Sequence, residues 1–525
     1  MGTEDDFIAR LRSTRSDYAE ELARHRFFLD AFSGMGGFKG TTKVEAAGYW
    51  GPAAEVYAGI FGLSASDLGG GNAEDHSYID RFPREDMAKY VRRVRLAHYE
   101  NHVMPVVDIP LSYLNRKGMK RTVPDALEPW LLAADGNDTS WDQMVKEVCE
   151  ERAAVVGYCP VLFDLPPVPP GTSVAQASEM GSKLRAIPLF PAHMLNWSTD
   201  RDGRFEWVKI QIIEESTGPF GDETYVETIT IWYPTHAEIW RIHKDSKGVD
   251  TIESSVPDVV SHSFGEVPIK VLRWKPVPDD HVRGLSMIEN IADTARRLFN
   301  YTSELDEHIR QAVFAMIQVP TNDPANIGTL MTGNGNACAV SPDSSRDYKF
   351  ISPDMNVSDI LQGQKVHARQ EIYRMGRSEF TQTAGSTGGA AKSGLSRAYE
   401  FETANRAIAD FAGRVSAWEL KCLKLVSRVL GGAPETIQVL APSKFAVEEM
   451  MQELNEASTA MEMDLGATAT RILKSRIIDK LLPNLTEDER DAIALELEET
   501  DKADDRVDTL AGAFDNETAD NADEA

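Results

Sequence analysis

Cysteine is scarce: Cys149, Cys159, Cys338 and Cys422 stand far apart and form no C-x-x-C pair. That spacing argues against a disulfide framework or a structural zinc site and fits synthesis in a reducing cytoplasm, each thiol serving as a small buried hydrophobe. No run of eighteen or more apolar residues is present, which excludes a membrane-spanning reading. The opening Met1-Gly2-Thr3-Glu4-Asp5-Asp6 is acidic, so it does not read as a signal peptide, and position six lacks the Ser or Thr of a myristoylation signal. Positive charge is also short, with 55 Lys and Arg against 83 Asp and Glu and a net charge of −28. A protein that grips DNA by neutralising phosphates gains affinity from released counterions and needs the opposite balance. This chain either has no contact with nucleic acid or lets it pass without holding it; solubility alone also accounts for the acidity.

What is present suits a globular protein. At 525 residues and 42% apolar content, two or more folded units are expected. The spacing predicts a helix from Glu4 to Phe32, with breakers at Gly34-Met35-Gly36-Gly37 and Gly69-Gly70-Gly71-Asn72 read as surface loops. Met87, Tyr90, Val91, Val94, Ala97 and His98 fall on one helical face. A further helix is expected from Trp141 to Val156, with Met144, Val148 and Ala153 inward. A short strand, Cys159 to Leu165, runs into Pro166-Pro167 and a Pro/Gly/Ser loop to about Ser182. From Leu184 to Val271 the pattern is β: Val208, Ile210 and Ile212 alternate with Lys209 and Gln211 as in a half-buried strand, and Tyr225 to Tyr233 and Glu238 to Ile242 continue the meander around His236. The first half therefore reads as α+β with an antiparallel sheet.

The second half reads as helical. A long helix from Ser286 to Ala315 turns Ile288, Ile291, Ala292, Ala295, Leu298, Phe299 and Leu305 inward. A compact insert of short strands with the Gly333 to Asn336 loop follows, then a helix from Val357 to Phe380. Thr381 to Ser393 is Gly, Ser, Thr and Ala with one charge, Lys392. The longest helix runs from Leu395 to Leu430 with the stripe Ala398, Phe401, Ala404, Ile408, Ala412, Val415, Trp418, Cys422 and Leu425. Short amphipathic helices are expected over 443–499, and an acidic, disordered end from Asp501.

No catalytic constellation stands out. Gly385 to Ser393 ends in Lys-Ser before a helix, but a P-loop needs Gly directly before the Lys and again six residues before it, where Ala391 and Ser386 stand. It also follows a helix where a strand is required, so a flexible connection is the better reading. His98-Tyr99-Glu100-Asn101-His102 does not follow the His-Glu-x-x-His order of zinc proteases and reads as a pair on a helix surface. His236 and His243 flank a strand with no carboxylate cluster and read as scaffold.

The order of parts in the second half resembles the portal proteins of tailed bacteriophages, the head-to-tail connectors. The stretches that carry the resemblance are Tyr90-Val-Arg-Arg-Val-Arg-Leu-Ala-His-Tyr-Glu-Asn-His-Val, Val155-Val-Gly-Tyr-Cys-Pro-Val-Leu-Phe-Asp164, Gly284-Leu-Ser-Met-Ile-Glu-Asn-Ile-Ala, Lys392-Ser-Gly-Leu-Ser-Arg and Leu482-Pro-Asn-Leu-Thr-Glu-Asp-Glu-Arg. It spans roughly residues 80–500 and rests on order and spacing. It implies an α+β portal fold: wing (80–283), first stem helix (284–311), β-containing clip (312–353), second stem helix (354–380), tunnel loop (381–394), long wing helix (395–432), helical crown (433–500) and acidic tail (501–525). Residues 1–79 receive no assignment.

The function so implied is a non-enzymatic ring, of twelve copies by analogy, forming the DNA channel at one capsid vertex for genome packaging, retention and ejection. Its partners would be other copies of itself, the major capsid protein, the terminase large subunit, a head–tail adaptor and the duplex passing through, with no membrane and no cofactor or metal. It would be made in the bacterial host cytoplasm and end in the virion. Tunnel-loop candidates are Thr383, Gly385, Ser386, Thr387, Gly388, Gly389, Lys392 and Ser393. Arg296, Arg297, Arg310, Arg369, Arg374 and Arg377 on the stem helices are candidates for contact with DNA or capsid, or for pairing with a neighbouring subunit's carboxylates. Asn322, Asn326, Asn334, Asn336, Asp343 and Arg346 are clip candidates for terminase or adaptor. The alternatives are another structural ring component of a virion, or a P-loop-like nucleotide-binding enzyme.

Overall fold

The structure, a computed structural model, describes residues 4–39, 77–165, 183–217, 223–244, 249–313, 316–321, 337–351, 354–378 and 394–442, apart from positions 84, 86, 137, 342 and 344–346. The chain divides into two compact units, Met1–Phe445 and Ala446–Ala525, and every described residue belongs to the first. The glycines at 69–72, the proline loop after 165, the loop at 333–336, the small-residue connection at 381–393, the short helices past 442 and the acidic end all lie outside the described residues.

The helix expected from Glu4 to Phe32 is two helices, α1 (Glu4–Leu11) and α2 (Tyr18–Ser33). Between them the carbonyls of Leu11 and Ser13 accept from the Lys209 ammonium at 3.0 and 2.7 Å, whereas a continuous helix would turn them along its own axis. Arg12 meanwhile pairs with Glu227, which is buried in the sheet. Gly34 closes α2 with φ 68°, in the left-handed region that favours glycine. The 34–37 segment breaks the helix as expected, yet it is not a surface loop. Gly37 and Phe38 are buried, and the Phe38 ring lies 4.1 Å from Tyr99, 4.7 Å from Tyr78 and 5.4 Å from Phe299, centroid to centroid.

The pattern from Met87 also splits, into α3 (Met87–Leu96) and α4 (Val103–Lys117). The Asn101 side chain explains the break: its oxygen accepts from the N–H groups of Val103 and Met104 at 3.1 and 3.0 Å, opening a new helix. His98, Glu100 and His102 are therefore in a loop, and the expected helix-surface pair of histidines does not form. After β1 (Lys120–Thr122) and a short α5 (Glu128–Leu132), the helix expected from Trp141 to Val156 is present as α6 (Trp141–Met144), one π turn (Val145–Cys149) and α7 (Glu150–Val156). The extra residue of the π turn rotates the inward face. Val145, Cys149 and Glu150 are buried, and Val148, expected inward, is only half-buried.

β2 (Tyr158–Asp164) is the centre of a three-stranded antiparallel sheet, between β3 (Arg185–Pro188) and the later β10 (Ile269–Arg273). A larger antiparallel sheet is built from β4 (Met194–Thr199), β5 (Phe205–Thr217), β6 (Glu223–Trp232), β7 (His236–Lys244) and β8 (Asp250–Ile252), with β9 (Asp258–Ser261) also on β7. The expected alternation is there, but both faces are covered. Val208 and Ile210 join Leu162, Met194 and Ile269 in one core; Ile229, Trp240 and Ile242 meet Ile8 and Leu11 of α1 on the other. Lys209 and Gln211, expected toward solvent, are 7% and 3% exposed because α1 covers them. Gln211 donates to the buried Glu227 at 2.6 Å, which supplies that carboxylate with a partner inside the sheet, while the Gln211 Oε1 has none among the described residues.

The short β11 (Lys275–Pro276) and β12 (Gly284–Leu285) lead into α8 (Glu289–Val313). A small sheet follows, with β13 (Met316–Pro320) central, parallel to β14 (Ala337–Val340) and antiparallel to β15 (Lys349–Ile351). Then come α9 (Asn356–Met375) and α10 (Gly394–Leu430). At 37 residues, about 55 Å, α10 begins one residue before the expected Leu395 and ends at the expected Leu430. Its Ile408, Ala412, Val415, Trp418, Cys422 and Leu425 enter the main core with Trp141, Ile291 and Phe299. β16 (Gln438–Leu440) then returns to pair with β1. Cys149, Cys159 and Cys422 are free and buried, as expected of small hydrophobes. The class is α+β.

Candidate functional site

α8 and α9 form an antiparallel hairpin whose free end carries the β13–β15 sheet. Its root is firmly held. Ser286, before α8, donates to the Val155 carbonyl at 2.5 Å and accepts from the Ile288 N–H at 3.0 Å, so it ties the helix start to α7 and caps it. Gly157 and Gly284 touch there: a Cβ on Gly157, whose φ is +100°, would meet the Gly284 oxygen at 2.2 Å. Further along, Asn300 donates to the Tyr78 carbonyl at 2.9 Å and accepts from the Asp80 N–H at 2.8 Å. Arg93 on α3 pairs with Glu85 at 2.7 Å and reaches Ser303 at 3.4 Å.

Among the described residues, α9's contacts with α4 and the segment before it run from its midpoint to its C-terminus. Lys365 pairs with Glu100 at 2.8 Å, the Tyr373 hydroxyl lies 3.3 Å from the His102 Nδ1, and Gly376 sits against Val106, where a Cβ would come within 2.2 Å. Burial pushes the Glu100 carboxyl up, but Lys365 and His102 outweigh it and hold the group below its usual range. His102 is lowered, chiefly by burial, against the pull of Glu100 and with the help of Arg369 and Lys365. Glu100 and His102 of the histidine motif thus help to anchor the hairpin, and His98 stays exposed.

Toward the free end the cover stops. The buried side chains of α8 end at Leu305, while Ile309 and Val313 are 42% and 69% exposed. Of α9's 20 residues only Ala368 and Ile372 are buried, and Val357 and Ile360 face outward. All three residues of β15 are exposed; Phe350 is 72% and the preceding Tyr348 69% exposed, and Met355 adds to the same end. A folded monomer rarely leaves so many large apolar side chains uncovered in one place. β15 reads Lys349-Phe350-Ile351, and nothing in a single chain's pattern shows whether its exposed apolar residues have a partner.

The candidate arginines are spread along the hairpin. Arg296 pairs with Asp80 at 2.7 Å, a surface ion pair of small energy, and Arg374 with Glu371 on its own helix at 2.6 Å. The Arg374 guanidinium holds the Glu371 carboxyl below its usual range. Arg297 lines a shallow depression of about 190 Å³ with Tyr301, Gln364, His367 and Glu371, so the two helices bring Arg297 near the Glu371–Arg374 pair. Arg310 lies near the free end, Arg369 faces out beside His102, and Arg377 follows α9 with φ 54°. Of the candidates on the small sheet, Asp343 is exposed, whereas Asn322, Asn326, Asn334, Asn336 and Arg346 lie outside the described residues. So do Thr383, Gly385, Ser386, Thr387, Gly388, Gly389, Lys392 and Ser393.

Sequence reasoning missed a buried charged network elsewhere in the fold, among β1, α6 and α10. Arg121 on β1 bonds the buried Glu419 of α10 at 2.7 and 3.0 Å and Asp142 at 2.8 Å, and Trp141 donates to Glu419 at 3.3 Å. The signal was a lone Glu in an otherwise apolar stripe of the longest helix, a position that must be paired if buried. Among the described residues no group of His, Cys, Asp or Glu is arranged to hold a metal ion, and no helix is long and apolar enough to cross a membrane.

No protein-family model and no curated protein matches the chain. Among solved structures, a chain from the neck of an empty GTA particle computed with C6 symmetry is similar over 70% of this chain and 88% of that one, at 13% identity and a TM-score of 0.33. A likeness that loose carries no weight for function.

Proposed function

We propose that this chain is the portal subunit of a tailed-phage-like particle, a structural protein whose copies close into a ring around a DNA channel. The observation that supports this most is the uncovered apolar end of the α8–α9 hairpin, with α9 burying only two of its own residues. Covering such side chains is worth roughly 1 kcal/mol or more each, and copies repeated around an axis cover one another's hairpins without leaving an open end. The root of the hairpin, fixed by Ser286, Asn300 and Lys365, supplies the rigid base such a ring needs.

The charge fits the same reading. A net −28 per copy gives the wall of a channel a sign that repels phosphates, so the duplex slides rather than binds. The small sheet at the free end is then the docking place for the terminase during packaging and for the head–tail adaptor afterwards, and the wing side meets the major capsid protein. The 381–393 connection, nearly uncharged, would lean on the passing duplex. On this reading the chain carries out no chemistry, and ATP hydrolysis belongs to the terminase. Negative-stain electron microscopy of the purified chain tests the proposal: rings with an axial hole are expected, with about twelve copies. A stable monomer at micromolar concentration would overturn it.

A further inference from the structure

We infer that the outer face of α3 is a contact surface between copies of this chain, seated against the acidic surface of the next copy; the inference rests on the ring reading above. In a protein of net charge −28, α3 (sequence MAKYVRRVRL) carries four cations and no acid. Its inward face is Tyr90, Arg93 and Val94, all buried. Arg93 is spent inside: it pairs with Glu85, donates to the Asp80 carbonyl at 2.7 Å and reaches Ser303 of α8. These bonds lock the helix in place and turn Lys89, Arg92 and Arg95 outward, where all three are exposed. Lys89 and Arg92 make no ion pair or side-chain hydrogen bond among the described residues.

The face is basic but not only basic. Leu96, on the same side, and Phe82, under the Arg93 guanidinium at 4.6 Å, are each 45% exposed. Arginine with exposed large apolar side chains is the composition of a protein contact; a surface made for phosphates alone has no use for Leu96. A second copy fits as the partner, since 83 acidic residues against 55 basic make most of any neighbour's surface negative. Copies that each carry −28 also repel one another, and a ring closes only where local attraction at the contacts outweighs that repulsion.

The test is the double variant Lys89→Glu/Arg92→Glu in the full chain, with Lys89→Gln/Arg92→Gln as a milder companion that keeps the helix polar but uncharged. Assembly is followed against concentration by mass photometry, and retention of a duplex DNA fragment is measured alongside. The inference expects wild-type rings, at least about a tenfold higher concentration needed by the reversed variant, an intermediate value for the neutral one, and unchanged melting of the isolated subunit. Rings formed equally by all three proteins overturn this inference and leave the ring reading standing. Unchanged rings with lost DNA retention also overturn it, by assigning the face to a polyanion. A wild-type chain that never assembles fails the ring reading itself and takes this contact with it.

Discussion

Glu150 is the most costly carboxyl described. It is 1% exposed, its hydrogen bond comes from Asn115 at 3.0 Å, and burial, helped by the nearby charge of Glu419, pushes it up to about 8. Because the folded value lies above the ordinary 4.5, the folded chain holds a proton that the unfolded chain gives up between those values. The neutral group costs nothing below about pH 4.5, and stability drains away as pH climbs from there to about 8. Glu150→Gln keeps the Asn115 bond and removes the titration. Thermal melts are expected to show the variant equal to wild type near pH 5 and more stable at pH 8, by on the order of 2–3 kcal/mol. Equal pH slopes for the two proteins would mean that Glu150 is not held neutral. None of this is legible from residue order, since Glu150 reads as one more acid in a Glu-Glu-Arg run; only the π turn puts it inside.

Among elements, the contact between Gly157 and Gly284 joins two stretches that carry the portal resemblance. With no Cβ on either residue, the end of α7 and the strand before α8 come within backbone contact, and the Met287 N–H reaches the Ala154 carbonyl at 2.8 Å. Gly157→Ala meets both a positive φ and a carbonyl at 2.2 Å. It is expected to lower stability by about 2–4 kcal/mol in urea titration, whereas Gly413→Ala, with open space at its Cβ and mid-helix geometry, should stabilise by up to about 1 kcal/mol. Long periodic elements were legible because burial follows period: the α10 stripe from Ala404 to Leu425 and the inward set on α8 sit where the sequence puts them, while the side chains of Ala398 and Phe401 lie outside the described ones. Breaks made by distant partners were not legible: Lys209 interrupts the first helix and α1 hides Lys209 and Gln211, tertiary effects with no local mark, whereas the Asn101 cap that opens α4 is made two and three residues on and is local. The resemblance brought the hairpin and its small sheet into view, yet the uncovered apolar end that makes it a candidate site appears only once side-chain exposure is known.

For the whole molecule, the outward apolar end and the net charge pull against each other. Ile360→Asp places a charge where the reading needs a dry contact, at a residue 63% exposed in the single chain. The isolated subunit should therefore melt as wild type does, while ring formation in light scattering falls by at least about tenfold. Rings of undiminished stability would show that the hairpin's end is not between copies.

The first forty residues have a consequence for how the chain is made. They are made before the residues they pair with: Arg12 waits for Glu227, Asp17 for Arg283, and Phe38 for Phe299. Contacts across more than two hundred positions cannot form until those partners exist, so α1 commits late, whereas the end of α2 can already be met by Tyr99 and Asn101, which bond the Ala31 and Phe32 carbonyls. The packing that α2 and Phe38 make with α8 is therefore incomplete until residue 299 has emerged, so this part of the core closes late.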